Sequence, residues 1–399
     1  MNRMKTIAVV GTFDSKGEEH LFLKERIEKR GFSALTINVG TKGPGTFKAD
    51  IDLFIRLEKV DGLDHESRDR AIAAMLQRAK ELVRQLHERK EICGIISAGG
   101  GTGTHLGTGI MRAVPMGVPK VMVSTVASRD MSKVVGTRDI TMMHSVADLL
   151  GVNSISGAVL DRAAAAVCAM TGNGWSPGIE KKRIALTFFG FITPAAEMIK
   201  ERLERLDYEV IAFHANGTGG MAMEELASEG YFSGILDLGT HELADELKGG
   251  YCSGIGPERL VLPPGIVLPR LVVPGGLDCA VLEFTREKIP EKYRGRKIFF
   301  YDFRSAVRLN EKESLFIAAQ LSEKLNKSPA GTRVLVPLDG WSEADRQGGP
   351  LYDPALSGLF LDRLKRTLDP EIEVMEVGMH INDPAFARLA ARIMHKMIG

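Results

Sequence analysis

The residues best equipped for chemistry lie in the run Ala98-Gly-Gly-Gly-Thr-Gly-Thr104, where Gly99, Gly100, Gly101 and Gly103 alternate with the hydroxyls of Thr102 and Thr104. Glycine tolerates positive φ and lets a ligand approach the backbone closely, so several N–H groups can converge on one anion. An apolar stretch (92–98) precedes the run and an amphipathic one (105–114) follows, which predicts a buried strand, a tight loop and a helix start. A helix N-terminus favours negative charge. The spacing Gly101-x-Gly103-x-x-x-Gly107 matches neither the dinucleotide fingerprint nor the P-loop, which ends in Lys-Ser/Thr. The run therefore points to a phosphate and leaves its owner open; the competing reading is a turn that needs glycine only for packing.

A second set, Gly11, Thr12, Asp14, Ser15 and Lys16, follows the apolar run 6–10 and precedes a charged amphipathic stretch, 18–30, and another apolar run, 32–39. This pattern predicts a β-α-β unit with parallel strands. Ligands of open α/β sheets sit at the carboxyl edge of the strands, so both loops are expected to face one place. Lys16 can supply the cation the glycine run lacks, and Asp14 can hold a metal-bound water, helix capping being the alternative. Arg129 and Arg138, in the polar loop 127–139, can reach a phosphate or be ordinary loop charges. Residues 40–63 read as a long excursion of the lid type with a turn at Thr41-Lys-Gly-Pro-Gly. A helix over 66–89, a strand over 119–125 and a packing helix over 154–170 complete the half.

A breaker cluster, Thr171-Gly-Asn-Gly-Trp-Ser-Pro-Gly, marks a boundary. The chain is accordingly divided into a Gly-rich nucleotide-binding part (1–172), a linker (173–182) and a second part (183–399) for substrate. The second part begins as the first did, with a strand (183–189), a helix (194–206) and a strand (208–213). Its strand ends carry ionisable or amide groups: His214, His241, Glu242, Asp278, Arg304, Arg308, Asn310, Asp339 and His380. These suit a polar substrate, with His214 or His241 as acid/base and Arg304 and Arg308 as a clamp on a carboxylate or phosphate. The three histidines come from separate corners without H-x-x-x-H spacing, which disfavours a metal, and Cys279 reads as a structural thiol. Each corner is taken as a strand-to-helix turn. The expected fold is α/β, two Rossmann-like subdomains with mainly parallel sheets and a cleft between them.

Length agrees, since 399 residues exceed one ordinary core. Lys plus Arg (52) nearly cancel Asp plus Glu (51), which excludes a dedicated nucleic-acid or membrane-surface binder and favours small ligands. Four scattered cysteines form no C-x-x-C pair. No apolar run reaches membrane-spanning length and no secretory leader is read, so a cytoplasmic protein is expected.

The motifs Gly11-Thr-Phe-Asp-Ser-Lys, Ala98-Gly-Gly-Gly-Thr-Gly-Thr, Asp139-Ile-Thr-Met-Met, Gly151-Val-Asn, His214-Ala-Asn-Gly-Thr-Gly-Gly, Pro337-Leu-Asp-Gly-Trp-Ser, Gly348-Gly-Pro-Leu-Tyr-Asp-Pro and His380-Ile-Asn-Asp-Pro occur in order. As a set they resemble a family of bacterial and fungal proteins of unassigned function related to the N-terminal domain of the tomato mosaic virus resistance protein. The resemblance implies a Mg-ATP-binding fold of two Rossmann-like subdomains that forms homodimers; in the plant relative the domain inhibits RNA replication by binding a viral replication protein. Motif by motif it implies nucleotide contacts at Gly11, Thr12, Asp14, Lys16, Gly100, Gly101, Thr102, Gly103 and Thr104. The chain departs from the family pattern at Lys133-Val-Val-Gly and at His144, where a tyrosine is expected. The resulting expectation is a cytoplasmic, dimeric protein binding ATP and Mg2+, an enzyme acting on a small polar or carboxylated metabolite. Its rivals are a non-enzymatic, ATP-regulated protein-binding module and a NAD-linked oxidoreductase; the absence of G-x-G-x-x-G after the first strand speaks against the latter.

Overall fold

The computed structural model describes residues 5–54, 68–172 and 180–399. The chain forms two compact units, Met1–Pro177 and Gly178–Gly399.

In the first unit, strands β1 (Thr6–Gly11), β2 (Ser33–Asn38), β3 (Ile51–Asp52), β4 (Gly94–Gly99), β5 (Lys120–Ser124) and β6 (Thr141–His144) form one sheet in the order β3-β2-β1-β4-β5-β6. Every pairing is parallel. Alternate residues of β1 face opposite layers, as the two-residue period of a strand requires. Ile7 and Val9 pack with Leu23 and Ile27 of α1 (Phe13–Glu28) and with Leu160 and Val167 of a later helix, Ser154–Gly172. Ala8 and Val10 pack with Met75 and Val83 of α2 (Arg68–Glu88) and with Ile110 of α3 (Gly101–Met111). Helices on both faces explain why these strands read as unbroken apolar runs. Strand order reverses between β1 and β4, whose carboxyl ends carry the two loops of interest.

Two features of this unit differ from the sequence expectation. The loop 127–139 contains a short helix, α4 (Ser132–Val135), and β6 follows it. Helix α5 (Ser154–Gly172) is, by length and composition, apolar enough to cross a membrane, though no continuous run suggested it; its Leu160, Ala163, Ala164 and Val167 are buried in the core of the unit. Residues 55–63 of the expected excursion, the start of the helix expected at 66, and residues 173–179 of the expected linker lie outside the described residues.

The second unit has six parallel strands, β7 (Arg183–Phe188), β8 (Glu209–His214), β9 (Gly234–Gly239), β10 (Arg270–Gly275), β14 (Thr332–Pro337) and β15 (Glu373–Val377), in the order β15-β14-β10-β9-β7-β8. Its order reverses between β7 and β9. Helices α6 (Thr193–Arg205), α7 (Thr218–Ser228), α8 (Glu242–Lys248), α9 (Glu311–Leu325), α10 (Pro354–Thr367) and α11 (Pro384–Ile398) complete the unit. A separate antiparallel sheet, β11 (Cys279–Leu282), β13 (Ser305–Arg308) and β12 (Ile298–Phe300), is inserted after β10. Two expected strand-to-helix turns are thereby corrected. Residues 274–279 join β10 to β11, and residues 302–308 run through a hairpin into β13, because the chain pairs with itself there before reaching α9.

Candidate functional site

At the carboxyl ends of β1 and β4, a cavity of about 200 Å3 is lined by Thr12, Asp14, Lys16, Lys42, Arg68 and the backbone of Gly100–Gly103. Gly100 occupies the N-cap of α3 and no side chain caps that helix. The first-turn N–H groups of such a helix have no intrahelical acceptor, so they present partial positive charge to the cavity. Among the described residues that line it, three cations, Lys16, Lys42 and Arg68, stand against one carboxylate, Asp14. A polyanion is the ligand this balance suits.

The glycines divide by role. A methyl group at Gly99 would lie 2.8 Å from the Gly103 Cα, and one at Gly107 would lie 2.7 Å from Ser97 Oγ and 2.9 Å from Met122 Sδ, so these two let α3 pack on the sheet. At Gly101 a methyl group would meet nothing within 4 Å, and at Gly100 and Gly103 only one atom each, at 3.7 Å. None of the run has positive φ, contrary to the sequence expectation, because the loop passes directly into the helix. Conformation and packing therefore do not account for glycine at 100, 101 and 103; open space above the backbone remains.

Two of the expected contacts are not among the residues lining the cavity. Thr104 is buried, its hydroxyl held by Ser124 Oγ at 2.7 Å, so it anchors α3 to β5. Gly11 is buried, and the position takes glycine because a side chain there would overlap the His20 ring. Lys16 keeps its place in the wall, where its ammonium donates to the Leu149 carbonyl. Thr12 is the N-cap of α1 but makes no side-chain cap bond, and the Asp14 carboxylate accepts the Lys42 N–H at 2.9 Å instead of capping. Gly40 is needed for this, since a methyl group there would lie 2.5 Å from Asp14 Oδ2. Arg129 and Arg138 do not line the cavity.

Three positioning residues escaped the sequence reading. His20 is fully buried; its Nδ1 lies 2.6 Å from the Lys16 carbonyl, and its Nε2 accepts the Ala98 N–H at 3.3 Å, linking the two loops through one ring. Burial lowers its pKa to about 4, so the ring is neutral at pH 7. Asn38 Oδ1 accepts the Phe13 and Gly40 N–H groups at 2.9 and 3.0 Å and fixes the β1–α1 turn against β2. Arg68 donates to Thr102 Oγ1 at 3.4 Å. The contacts that tie one element to another, His20 to Ala98, Asn38 to Phe13 and Arg68 to Thr102, span 25 to 78 residues, so local pattern carries no sign of them.

In the second unit the groups at the β7/β9 reversal form a connected set. Arg259, fully buried, binds Asp237 at 2.6 Å, Glu242 at 2.7 Å and Glu224 at 3.2 Å, and Glu242 also accepts the Gly217 N–H at 2.9 Å. His241 stacks on Phe189 with ring centroids 3.8 Å apart. Burial drives its pKa to about 3, too low for the proton transfer at neutral pH expected of it. Desolvation of its ring by the surrounding chain, and the Arg304 charge, hold His214 below the ordinary value while Glu242 pulls it up. Arg304 is paired with Asp302 and lies over the Tyr251 ring at 4.6 Å. Buried Arg308 pairs with Asp345 at 2.8 Å and donates to Ser357 Oγ at 2.8 Å, so it braces β13 against α10 and is not free to clamp a substrate. Nearby Asp278, raised to about 7 by burial and by Asp345, accepts the Ser342 hydroxyl at 2.9 Å. A separate cavity of about 850 Å3 lies at the ends of β14 and β15, lined among others by Glu343, Arg346, Gln347, His380, Asn382 and Asp383.

The model of the uncharacterised protein family (UPF0261) N-terminal domain matches residues 5–174, and that of its C-terminal domain residues 181–398. A UPF0261 protein of Clostridium tetani is 36% identical over 404 residues, covering 99% of both chains. The ToMV resistance protein Tm-1(GCR237) of tomato, Solanum lycopersicum, is 31% identical over 411 residues, covering 95% of this chain and 54% of the plant protein. Among solved structures, the UDP-N-acetylglucosamine 2-epimerase of Rickettsia bellii aligns with 69% of this chain and 82% of its own at 12% identity and a TM-score of 0.25.

Proposed function

The chain belongs to the uncharacterised protein family UPF0261, and from that premise we propose that it is a Mg-ATP-binding protein whose first unit holds the triphosphate between the β1 and β4 loops. The observation that carries this reading is the open backbone at Gly100, Gly101 and Gly103, on an uncapped helix N-terminus at the reversal of strand order. Ligands of open α/β sheets bind at that kind of crevice, and phosphates at that kind of helix end. The group fits the residues present: the glycine backbone leaves the space a side chain would fill, and Lys16, Lys42 and Arg68 balance its charge. Asp14 is the carboxylate positioned to hold a Mg2+ water. Bound ATP supplies a phosphoryl or nucleotidyl donor; the residues of this chain orient it and neutralise its charge.

The polar cavity of the second unit supports an ATP-using enzyme over a binding module. Arg346 can pair with a carboxylate there, and His380, whose Nδ1 accepts the Asn382 N–H at 3.1 Å, is held facing the same space. A cytoplasmic enzyme acting as a homodimer on a small polar or carboxylated metabolite is the resulting reading. NAD is disfavoured because the β1–α1 turn lacks the glycine pattern that receives its pyrophosphate.

Thermal unfolding with ATP, ADP, AMP and NAD, each with and without Mg2+, tests the proposal. Ligand at a hundred times its Kd adds about 2.7 kcal/mol, a rise of roughly 5–10 °C for a unit of this size. A Mg2+-dependent rise that is largest with ATP is expected; no rise with any nucleotide overturns the reading.

A further inference from the structure

We propose that His241, Asp245 and Cys252 form a transition-metal site in the second unit, with zinc as the ion its donors suit best. All three side chains are buried, and their ligating atoms lie within 4.8 Å of one another. His241 supplies the decisive observation. Its ring is 1% exposed, yet neither nitrogen has a hydrogen-bond partner. Buried polar atoms in folded proteins are nearly always paired, and an imidazole left bare on both sides, beside a thiol and a carboxylate, has the surroundings of a ligand.

The local architecture holds the donors in place. His241 lies two residues past the end of β9 as the N-cap of α8, and Asp245 follows one helical turn later, so the pair shares one face of that helix. Phe189 stacks on the imidazole, and Gly276, at φ +77°, leaves room for both: a methyl group there would lie 2.4 Å from Phe189 and 2.8 Å from the His241 Cβ. Asp245 is oriented as metal-binding carboxylates are, each oxygen accepting one backbone N–H, from Val281 at 2.7 Å and Cys252 at 2.8 Å. Gly250 permits the turn that returns Cys252 to Asp245, since a methyl group there would lie 2.8 Å from the Asp245 Cγ.

Charge and softness choose the ion. One neutral imidazole, one carboxylate and one thiolate balance a divalent cation, which displaces the thiol proton on binding. A sulfur donor disfavours magnesium and calcium, and the mixed N, O and S set suits zinc. Ligands around zinc are roughly 3.5 Å apart, so side-chain rotation is enough to close the set. Three protein donors leave a fourth position, the arrangement of zinc sites that bind a water or a substrate atom.

The test is a cobalt titration of the chelator-stripped full-length protein, followed by absorbance and back-titrated with zinc. Saturation at one ion per chain is expected, with a thiolate-to-cobalt charge-transfer band that zinc abolishes. Cys252→Ala should remove the band, and His241→Gln should weaken affinity on the order of 100-fold while circular dichroism stays unchanged. Cys93→Ala, a substitution at the half-buried thiol of the other unit, should change nothing. No saturable uptake by the wild type, a band that survives Cys252→Ala, or a band that disappears with Cys93 overturns the proposal. The wild-type stoichiometry and His241→Gln decide the matter even if Cys252→Ala does not fold.

Discussion

Gly100, Gly101, Gly103 and Gly107 sit within two turns of one helix, yet only Gly107 is demanded by a neighbouring atom. That contrast separates a glycine kept for packing from one that leaves space for a ligand, and residue types alone do not draw it. That the glycine run and Lys16 would meet at one sheet edge was legible; the burial of Gly11 and Thr104 was not, because their constraints come from His20 and Ser124 on other elements. His20 also makes a prediction. Its folded pKa of about 4 lies below the unfolded 6.5, so its contribution is present at pH 7 and is lost as pH falls from 6.5 toward 4, where the unfolded chain takes up a proton the folded one refuses. Between pH 7 and pH 5 this amounts to about 2 kcal/mol of lost stability. Urea unfolding of wild type and His20→Gln at both pH values should show the variant losing that much less; equal losses would mean that the ring is not neutral in the folded unit.

Elements were legible where apolar runs were continuous. Residues 6–10, 92–98 and 183–189 announced β1, β4 and β7 because both faces of each strand are covered. Strand β6 was missed because none of its four residues is fully buried, and β3 because two residues make no period. The antiparallel insertion was missed for another reason: Arg304 and Arg308 look like groups at a strand-to-helix corner, whereas Arg304 sits in the β12–β13 hairpin and Arg308 on β13, whose pairing with β11 joins residues up to 29 positions apart. Where that insertion ends, α9 opens on a complete capping box, Asn310 accepting the Glu313 N–H at 2.9 Å and Glu313 accepting the Asn310 N–H at 2.8 Å. Asn310→Ala should lower the stability of the second unit by about 1 kcal/mol. Because Glu313 keeps its ion pairs with Lys248 and Arg296, the loss should not extend to the packing of the insertion. A denaturation midpoint unchanged by Asn310→Ala would show that the cap is not limiting.

Across the whole molecule, two parallel sheets of different strand order each gather polar groups where the order reverses: glycine backbone with Lys16, Lys42 and Arg68 in the first unit, and a buried His-Asp-Cys set in the second. The α/β class was legible from alternating strand and helix patterns, and the family from ordered motifs. Strand order was not, since it depends on which strands pair across long connections. The account stands or falls on the glycine backbone of the first unit. Calorimetric titration of Mg-ATP into wild type, Gly101→Ala and Gly107→Ala, with the ligand-free unfolding midpoint of each, tests it most directly. The account predicts one site per chain in the wild type and an affinity loss of roughly tenfold or more, about 1.4 kcal/mol, in Gly101→Ala with no fall in midpoint. Gly107→Ala should instead lose about 1–3 kcal/mol of stability through overpacking. Wild-type protein that binds no Mg-ATP, or Gly101→Ala that binds it unchanged, would contradict the account.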